Sequence, residues 1–254
     1  MIKNGTFGIK SFKSMKKISK KSTVDEIKTR FDNDVERFSQ VETGQQTTMD
    51  ASYTMELITD SIMAYSPNIK TVLDVGCGAG NYTLKLLSKK APLNCTLLDL
   101  SLPMLQRAQE RVEAVNSGTV TLVQEDIRTA VLPENSYCTI IASAVLHHLR
   151  DDADWETVFS KLYRLLKPGG SLWISDLIVQ ETPGIQQLLF NERYGNYLTH
   201  LKDEAFRDRV FDYIEKEDSP RSFNYQFKLL ERVGFRHIEL LHKNACFAAF
   251  GAIK

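Results

Sequence analysis

The residues that point to chemistry begin with three glycines at alternate positions in Thr71-Val-Leu-Asp-Val-Gly-Cys-Gly-Ala-Gly-Asn81. An apolar run leads into Gly76, Gly78 and Gly80, and a helical pattern starts directly after them. Residues without a Cβ let a chain turn tightly and let a ligand approach the backbone. The spacing sets this turn apart from two common nucleotide loops. A dinucleotide fingerprint would place its third glycine where Asn81 stands, and a phosphate-binding loop requires Gly-Lys-Ser/Thr, which is missing. Two carboxylates sharpen the reading. Asp74 precedes the first glycine by two residues, and Asp99 ends the next apolar run. An acidic side chain there can accept two hydrogen bonds from a ribose diol. Asp74 can equally organise the turn by accepting backbone N–H groups. Glu125-Asp126-Ile127 ends a third run, where an acidic group can accept an adenine amino proton while Ile127 borders the ring. Cys77, inside the turn, reads as a small packing residue rather than a nucleophile.

A second set of chemically competent residues is Ser143-Ala-Val-Leu-His-His148, which follows a fourth apolar run. Open α/β sheets bind ligands at the carboxyl ends of their strands, and histidine titrates near neutrality. His147 and His148 are therefore the candidate catalytic bases, with packing or capping of the following turn as the alternative. No metal-ligand spacing is visible. Cys77, Cys95, Cys138 and Cys246 are far apart and form no C-x-x-C pair, so neither zinc nor a disulfide framework is expected.

Leu73-Asp-Val-Gly-Cys-Gly-Ala-Gly80, Leu98-Asp99, Glu125-Asp126-Ile127 and Leu166-Lys-Pro-Gly-Gly170 together resemble the successive motifs of the class I S-adenosylmethionine-dependent methyltransferases. That resemblance implies S-adenosyl-L-methionine as cofactor and methyl transfer to a small-molecule nucleophile. It assigns the methionyl end to Gly76, Cys77, Gly78 and Gly80, the ribose to Asp99, and the adenine to Asp126 with Ile127. Tyr53, Asp74, Leu100, Met104 and Ser143 complete the expected cofactor set. The implied fold is an α/β, Rossmann-like, seven-stranded and mostly parallel sheet of order 3-2-1-4-5-7-6. Its last strand is antiparallel, with helices on both faces and a helical cap. A narrower resemblance, to carboxy-S-adenosylmethionine synthase, rests on Asp126-Ile-Arg128, Tyr53 and Gly234-Phe…Ala248-Ala-Phe-Gly251. That family pairs an extra cofactor carboxylate with a cap arginine, for which Arg207, Arg209 and Arg221 are the candidates; Ser143 stands where its asparagine is expected. A tRNA or protein methyltransferase, supported by the lysine-rich start, and a non-catalytic nucleotide-binding protein are the remaining readings.

The elements that must position these residues follow from periodicity. Val24, Ile27, Phe31, Val35 and Phe38 recur at helical steps, capped by Ser22 or Thr23 with Asp25 and Glu26 in the first turn. A second helix is expected over 49–65, ended by Ser66-Pro67-Asn68. From Lys70 onward, strands at 71–75, 96–100, 120–123, 138–142 and 171–177 alternate with helices at 82–88, 102–115 and 155–166. Such alternation with continuous apolar strands specifies a parallel sheet covered on both faces. Lys167-Pro-Gly-Gly170 reads as a helix stop and turn. Residues 179–220 interrupt the pattern with a charged, aromatic, mainly helical insert, read as a cap whose inner face meets the substrate. A helix at 221–233 and a hairpin, 238–242 with 246–252, close the chain; the hairpin requires an antiparallel last strand.

Composition narrows the partners. Lys plus Arg number 32 and Asp plus Glu number 32, so no net field draws a polyanion. A small-molecule substrate, no nucleic acid, no membrane and a cytoplasmic location are expected, with a homodimer left open. The first 21 residues carry seven lysines and no acid, and read as a disordered basic tail ahead of one methyltransferase domain over 22–254.

Overall fold

A computed structural model of the chain describes residues 21–40 and 44–254. The tail expected over residues 1–21 therefore lies, apart from Lys21, outside the described residues. The predicted first helix is two. Helix α1 (Val24–Asp32) begins at a capping box in which Thr23 and Glu26 each satisfy the other's backbone N–H. It stops at Asn33, and α2 (Val35–Ser39) follows. Helix α3 (Ala51–Tyr65) buries Met55, Ile58 and Ile62, which recur at helical spacing.

The alternating region folds as its periodicity requires. The order is β1 (Thr71–Val75), α4 (Asn81–Leu87), β2 (Asn94–Asp99), α5 (Leu102–Glu113), β3 (Val120–Gln124), β4 (Tyr137–Ser143), α6 (Asp152–Leu165) and β5 (Leu166–Leu177). The insert contains α7 (Pro183–Gln186), a π-helical stretch (Gln187–Tyr194), α8 (Gly195–Leu201) and α9 (Glu204–Glu217). Helix α10 (Phe223–Val233) precedes β6 (His237–Asn244) and β7 (Phe247–Ile253). The seven strands form one sheet, β3-β2-β1-β4-β5-β7-β6. Pairs from β3 to β5 are parallel, whereas β7 runs antiparallel to both β5 and β6.

Two apolar layers flank the sheet. One gathers Trp155, Phe159 and Leu162 of α6 with Leu229 and Leu230 of α10. The other gathers Ile58 and Ile62 of α3 with Leu86, Leu105 and Val112. The turn expected at Lys167-Pro-Gly-Gly170 lies within β5: pairing with β4 jumps from Tyr137–Leu166 to Thr139–Ser171, and Gly169 takes φ +71°. The hairpin turn, expected at Lys243-Asn244, falls two residues later, at Ala245-Cys246, because β6 continues through Asn244.

Most rings of the insert pack on each other. Phe190 and Phe211 stack at 4.8 Å, and Tyr194 meets Phe247 edge to face at 5.2 Å. Leu177, Leu198, Val210 and Cys246 complete this third cluster. The insert is thus chiefly a small core of its own, with Tyr194, Tyr213 and Ile214 reaching the cavity below it.

Candidate active site

The glycine turn is held from below by β2. The N–H groups of Gly76 and Cys77 both donate to the Leu98 carbonyl, at 2.8 and 3.0 Å. From the side, an Arg111 N–H of α5 donates to the Ala79 carbonyl at 2.5 Å. The three glycines are present for different reasons. A Cβ on Gly76 would stand 2.5 Å from Val145, and one on Gly80 would stand 3.2 Å from Ala108 where α4 meets α5. Gly78 has φ +50° and, among the described residues, no atom within 4 Å of its missing Cβ. Packing thus fixes Gly76 and Gly80, while Gly78 borders open space.

Asp99 reaches into the turn, not away from it. One carboxylate oxygen accepts the Gly78 N–H at 2.8 Å and the other accepts the Ser101 N–H at 2.9 Å. Each oxygen keeps a further lone pair for a diol. Burial raises the Asp99 carboxyl, against the pull of these N–H groups. Asp74 is enclosed, 2 % exposed, and accepts the Thr83 hydroxyl at 2.6 Å. Desolvation lifts it to about 6, the Thr83 bond notwithstanding, with the nearby Asp99 charge adding to the rise. Asp74 therefore ties the turn to the first turn of α4, the organising role. Cys77 is a buried thiol pushed well up by desolvation and by both aspartates, which suits packing.

Asp126 borders the same cavity but is already gripped. Arg128 donates to both of its oxygens, at 3.0 and 2.6 Å, and to Asp154 at 2.9 Å. Burial works to raise Asp126, and the guanidinium more than offsets it, so the carboxylate stays below its ordinary range. Leu100, Met104, Ile127 and Ser143 also line the cavity, whose volume is about 220 Å³. Gly80 lies just behind it, and the neighbouring Ala79 and Asn81 line it instead.

Tyr53 lies apart from the other predicted cofactor residues. It is 57 % exposed and packs edge-on against His242 at 5.2 Å, outside the cavity. The face of α3 that turns inward carries Thr54 and Met55, so Tyr53 points to solvent, and Thr54 and Ala51 line the cavity. The three cap arginines also lie elsewhere. Arg207 pairs with Asp208, Arg209 leans on Phe206 and Arg221 pairs with Asp152; none borders the cavity.

The histidines occupy a short 3₁₀ turn, Leu146–His148, beyond β4. Asp176, buried at the end of β5, fixes that turn by accepting the Leu146 and His147 N–H groups at 2.8 and 3.2 Å. Its other oxygen hydrogen-bonds Nδ1 of His147. On the far side Nε2 of His147 lies 3.7 Å from Asp218, which follows α9. Burial opposes a charge on His147, but the two carboxylates prevail and hold its pKa at about 9. His148 is pushed the other way, by burial and by the His147 charge, and is neutral.

Sequence periodicity gave no sign of what closes the cavity. Phe31 and Phe38 meet at a tilt of 53° with centroids 5.5 Å apart, and Phe31 meets His148 edge-on at 6.0 Å. Arg30 of α1 pairs with Glu217 of α9 at 2.6 Å, and the Phe38 carbonyl accepts from Asn81 beside the glycine turn at 2.9 Å. Helices α1 and α2 thus bridge the insert and the turn. A helical heptad pattern alone cannot say which surface the apolar face covers.

The comparisons fit this geometry. Residues 72–170 match a family described as a methyltransferase domain. A carboxy-S-adenosyl-L-methionine synthase of Shewanella woodyi is 30% identical over 190 residues, covering 72% of this chain and 75% of that protein. The chain belongs to the class I S-adenosylmethionine-dependent methyltransferases. A demethylmenaquinone methyltransferase of Listeria welshimeri is 29% identical over 174 residues, 67% of this chain and 72% of the relative. The 1,6-didemethyltoxoflavin-N1-methyltransferase of Burkholderia thailandensis, solved with bound 1,6-didemethyltoxoflavin and S-adenosylhomocysteine, superposes with a TM-score of 0.59. It is 15% identical, with 92% and 91% of the two chains covered. This methyltransferase takes S-adenosylmethionine as cofactor, and the turn fits it: Gly78 leaves the room a methionyl chain needs, and the Asp99 oxygens face that space with lone pairs to spare.

Proposed function

We propose that this methyltransferase moves a methyl group onto a small-molecule nucleophile held between the glycine turn and the cover formed by α1, α2 and the insert. The single observation that carries the reading is one continuous cavity. It runs from Gly78 and Asp99 at the strand ends to His147, His148 and Tyr213 under the cover. The cofactor supplies a methyl group on a sulfonium that carries its own leaving group. The chain then has to align acceptor, methyl carbon and sulfur, and proximity contributes several kcal/mol. Asp99 would hold the ribose, Ser143 and Val145 would border the sulfonium, and Asp126 with Ile127 would take the adenine. A base is required only where the acceptor arrives protonated. With no ion bound, His147, held as a cation between two carboxylates, is unsuited to that task, and His148 is the ring in the right charge state.

A plain cofactor is favoured over a carboxylated one because Arg207, Arg209 and Arg221 are engaged away from the cavity. A small acceptor is favoured over nucleic acid by the balanced charge and by a cavity that is covered on both sides. All four cysteines are free, which suits the reducing cytoplasm. Among the described residues no helix is long and apolar enough to cross a membrane. Mass spectrometry of ligand released from the freshly purified chain tests the reading. S-adenosylmethionine or S-adenosylhomocysteine is expected; a carboxylated sulfonium would replace the plain cofactor, and a dinucleotide alone would overturn the proposal.

A further inference from the structure

The geometry points to a divalent transition-metal site formed by His147, His148 and Asp218 at the acceptor end of the cavity. Nε2 of His147 and Nδ1 of His148 lie 3.7 and 3.1 Å from one oxygen of Asp218, and all three ligand atoms fall within 4.8 Å of one another. Around an ion with bonds of about 2.1 Å, neighbouring donors stand about 3.0 to 3.5 Å apart. Both contacts to Asp218 therefore already sit close to the spacing an ion would impose, and the two ring nitrogens lie within 4.8 Å of each other. Asp218 is 5 % exposed, yet among the described residues this oxygen has no well-aligned hydrogen-bond partner, and neither ring nitrogen of His148 has one. The 3.1 Å approach between them is close without being aligned as a hydrogen bond. A buried polar atom left in this state costs about 1–3 kcal/mol, so the cluster asks for a missing partner.

Asp176 supplies the outer support that metal-bound histidines usually have. Its one oxygen is fixed by two backbone N–H groups, and its other holds Nδ1 of His147. This makes Nδ1 the protonated nitrogen and turns the Nε2 lone pair toward Asp218. A bound ion takes the position of a second proton on Nε2. The surrounding cations act on the Asp218 carboxylate only through space and direct their hydrogen bonds to other atoms. Arg30 pairs with Glu217, Arg150 donates to the Ser22 and Glu217 carbonyls, and Lys21 donates to the Glu215 and Asp218 carbonyls. Two imidazoles and one carboxylate select Fe²⁺, Mn²⁺, Co²⁺ or Zn²⁺ over Mg²⁺ or Ca²⁺ and leave coordination positions open. Those positions face the cavity, where an acceptor with two adjacent oxygen atoms would complete the shell. This last step rests on the proposed methyl transfer; the metal site itself does not.

The test uses the full chain, stripped with EDTA and titrated with Co²⁺ under absorption spectroscopy, with S-adenosylhomocysteine binding followed in parallel by calorimetry. Visible ligand-field bands saturating at one equivalent are expected, unaffected by excess Mg²⁺ and displaced by Zn²⁺. His148→Ala and Asp218→Ala should each weaken Co²⁺ binding at least about 100-fold, and Asp176→Asn about 10- to 100-fold. Asp218→Asn, which keeps the shape, guards against a variant that fails to fold. Absence of a saturable band, or bands indifferent to these substitutions in chains that still bind S-adenosylhomocysteine, would overturn the metal site and leave the methyltransferase reading standing. Cobalt binding without S-adenosylhomocysteine binding would do the reverse.

Discussion

The two ends of the cavity are built by different means. The cofactor end comes from the tips of β1, β2 and β3 over residues 74 to 127, and its contacts are short-range in sequence or repeat from strand to strand. The acceptor end is assembled from distant pieces: α1 and α2, the turn after β4, the end of β5 and the segment after α9. His147 meets Asp176 and Asp218 across 29 and 71 residues of chain. The first end is a shared frame for one cofactor. The second can change without disturbing the first, and that is where acceptor choice resides.

The sharpest way to break this contrast is within the turn itself. Gly78→Val should abolish S-adenosylhomocysteine binding, at least about 100-fold weaker, because it combines positive-φ strain of about 1–3 kcal/mol with a side chain in the open space. The chain should still fold. Gly76→Ala, with Val145 at 2.5 Å, should instead lower the melting temperature. Equal effects of the two on folding would remove the distinction between packing and ligand room.

Asp74 offers a pH signature for the frame. Its carboxyl lies at about 6 in the folded chain against an ordinary 3.8, so the native state holds the proton more tightly than the unfolded state. The resulting penalty is absent below pH 3.8 and complete above about 6, so stability falls as pH rises through that window. The size is about 3 kcal/mol, and Asp74→Asn should remove it. Denaturant unfolding of both chains at pH 4 and pH 7 checks this; a constant difference between them would contradict it.

Asp99→Ala should weaken S-adenosylhomocysteine by about 10- to 100-fold, the worth of a charged hydrogen bond or two, as read by calorimetry. Tyr53→Ala should change neither binding by more than about twofold nor stability by more than about 0.5 kcal/mol, since the ring is exposed. A large loss there would restore Tyr53 to the cofactor site.

What was legible in the sequence follows the same division. Strand β1 was readable because a parallel sheet writes apolar runs and glycine turns into consecutive residues, whereas the sheet order came from the family resemblance. Asp99 was readable because a strand end and a helix cap coincide at Leu98-Asp-Leu-Ser101. The outward orientation of Tyr53 was not legible because a family motif does not state which way a helix faces. The break at Asn33 was missed because Val24 to Phe38 keep helical spacing across it. Asp218 left no signal at all: a lone acid after a charged helix gains its role only when the insert folds back over the turn after β4.

The central claim is that the turn of Gly76 to Gly80 with Asp99 holds an adenosyl sulfur ligand. Calorimetry of S-adenosylhomocysteine with the full chain and with Asp99→Ala tests it most directly. The account predicts one site per chain with micromolar or tighter affinity, about −8 kcal/mol or stronger, and a clear weakening in the variant. A chain that shows no saturable heat up to about 1 mM ligand, where binding would be about −4 kcal/mol, contradicts it.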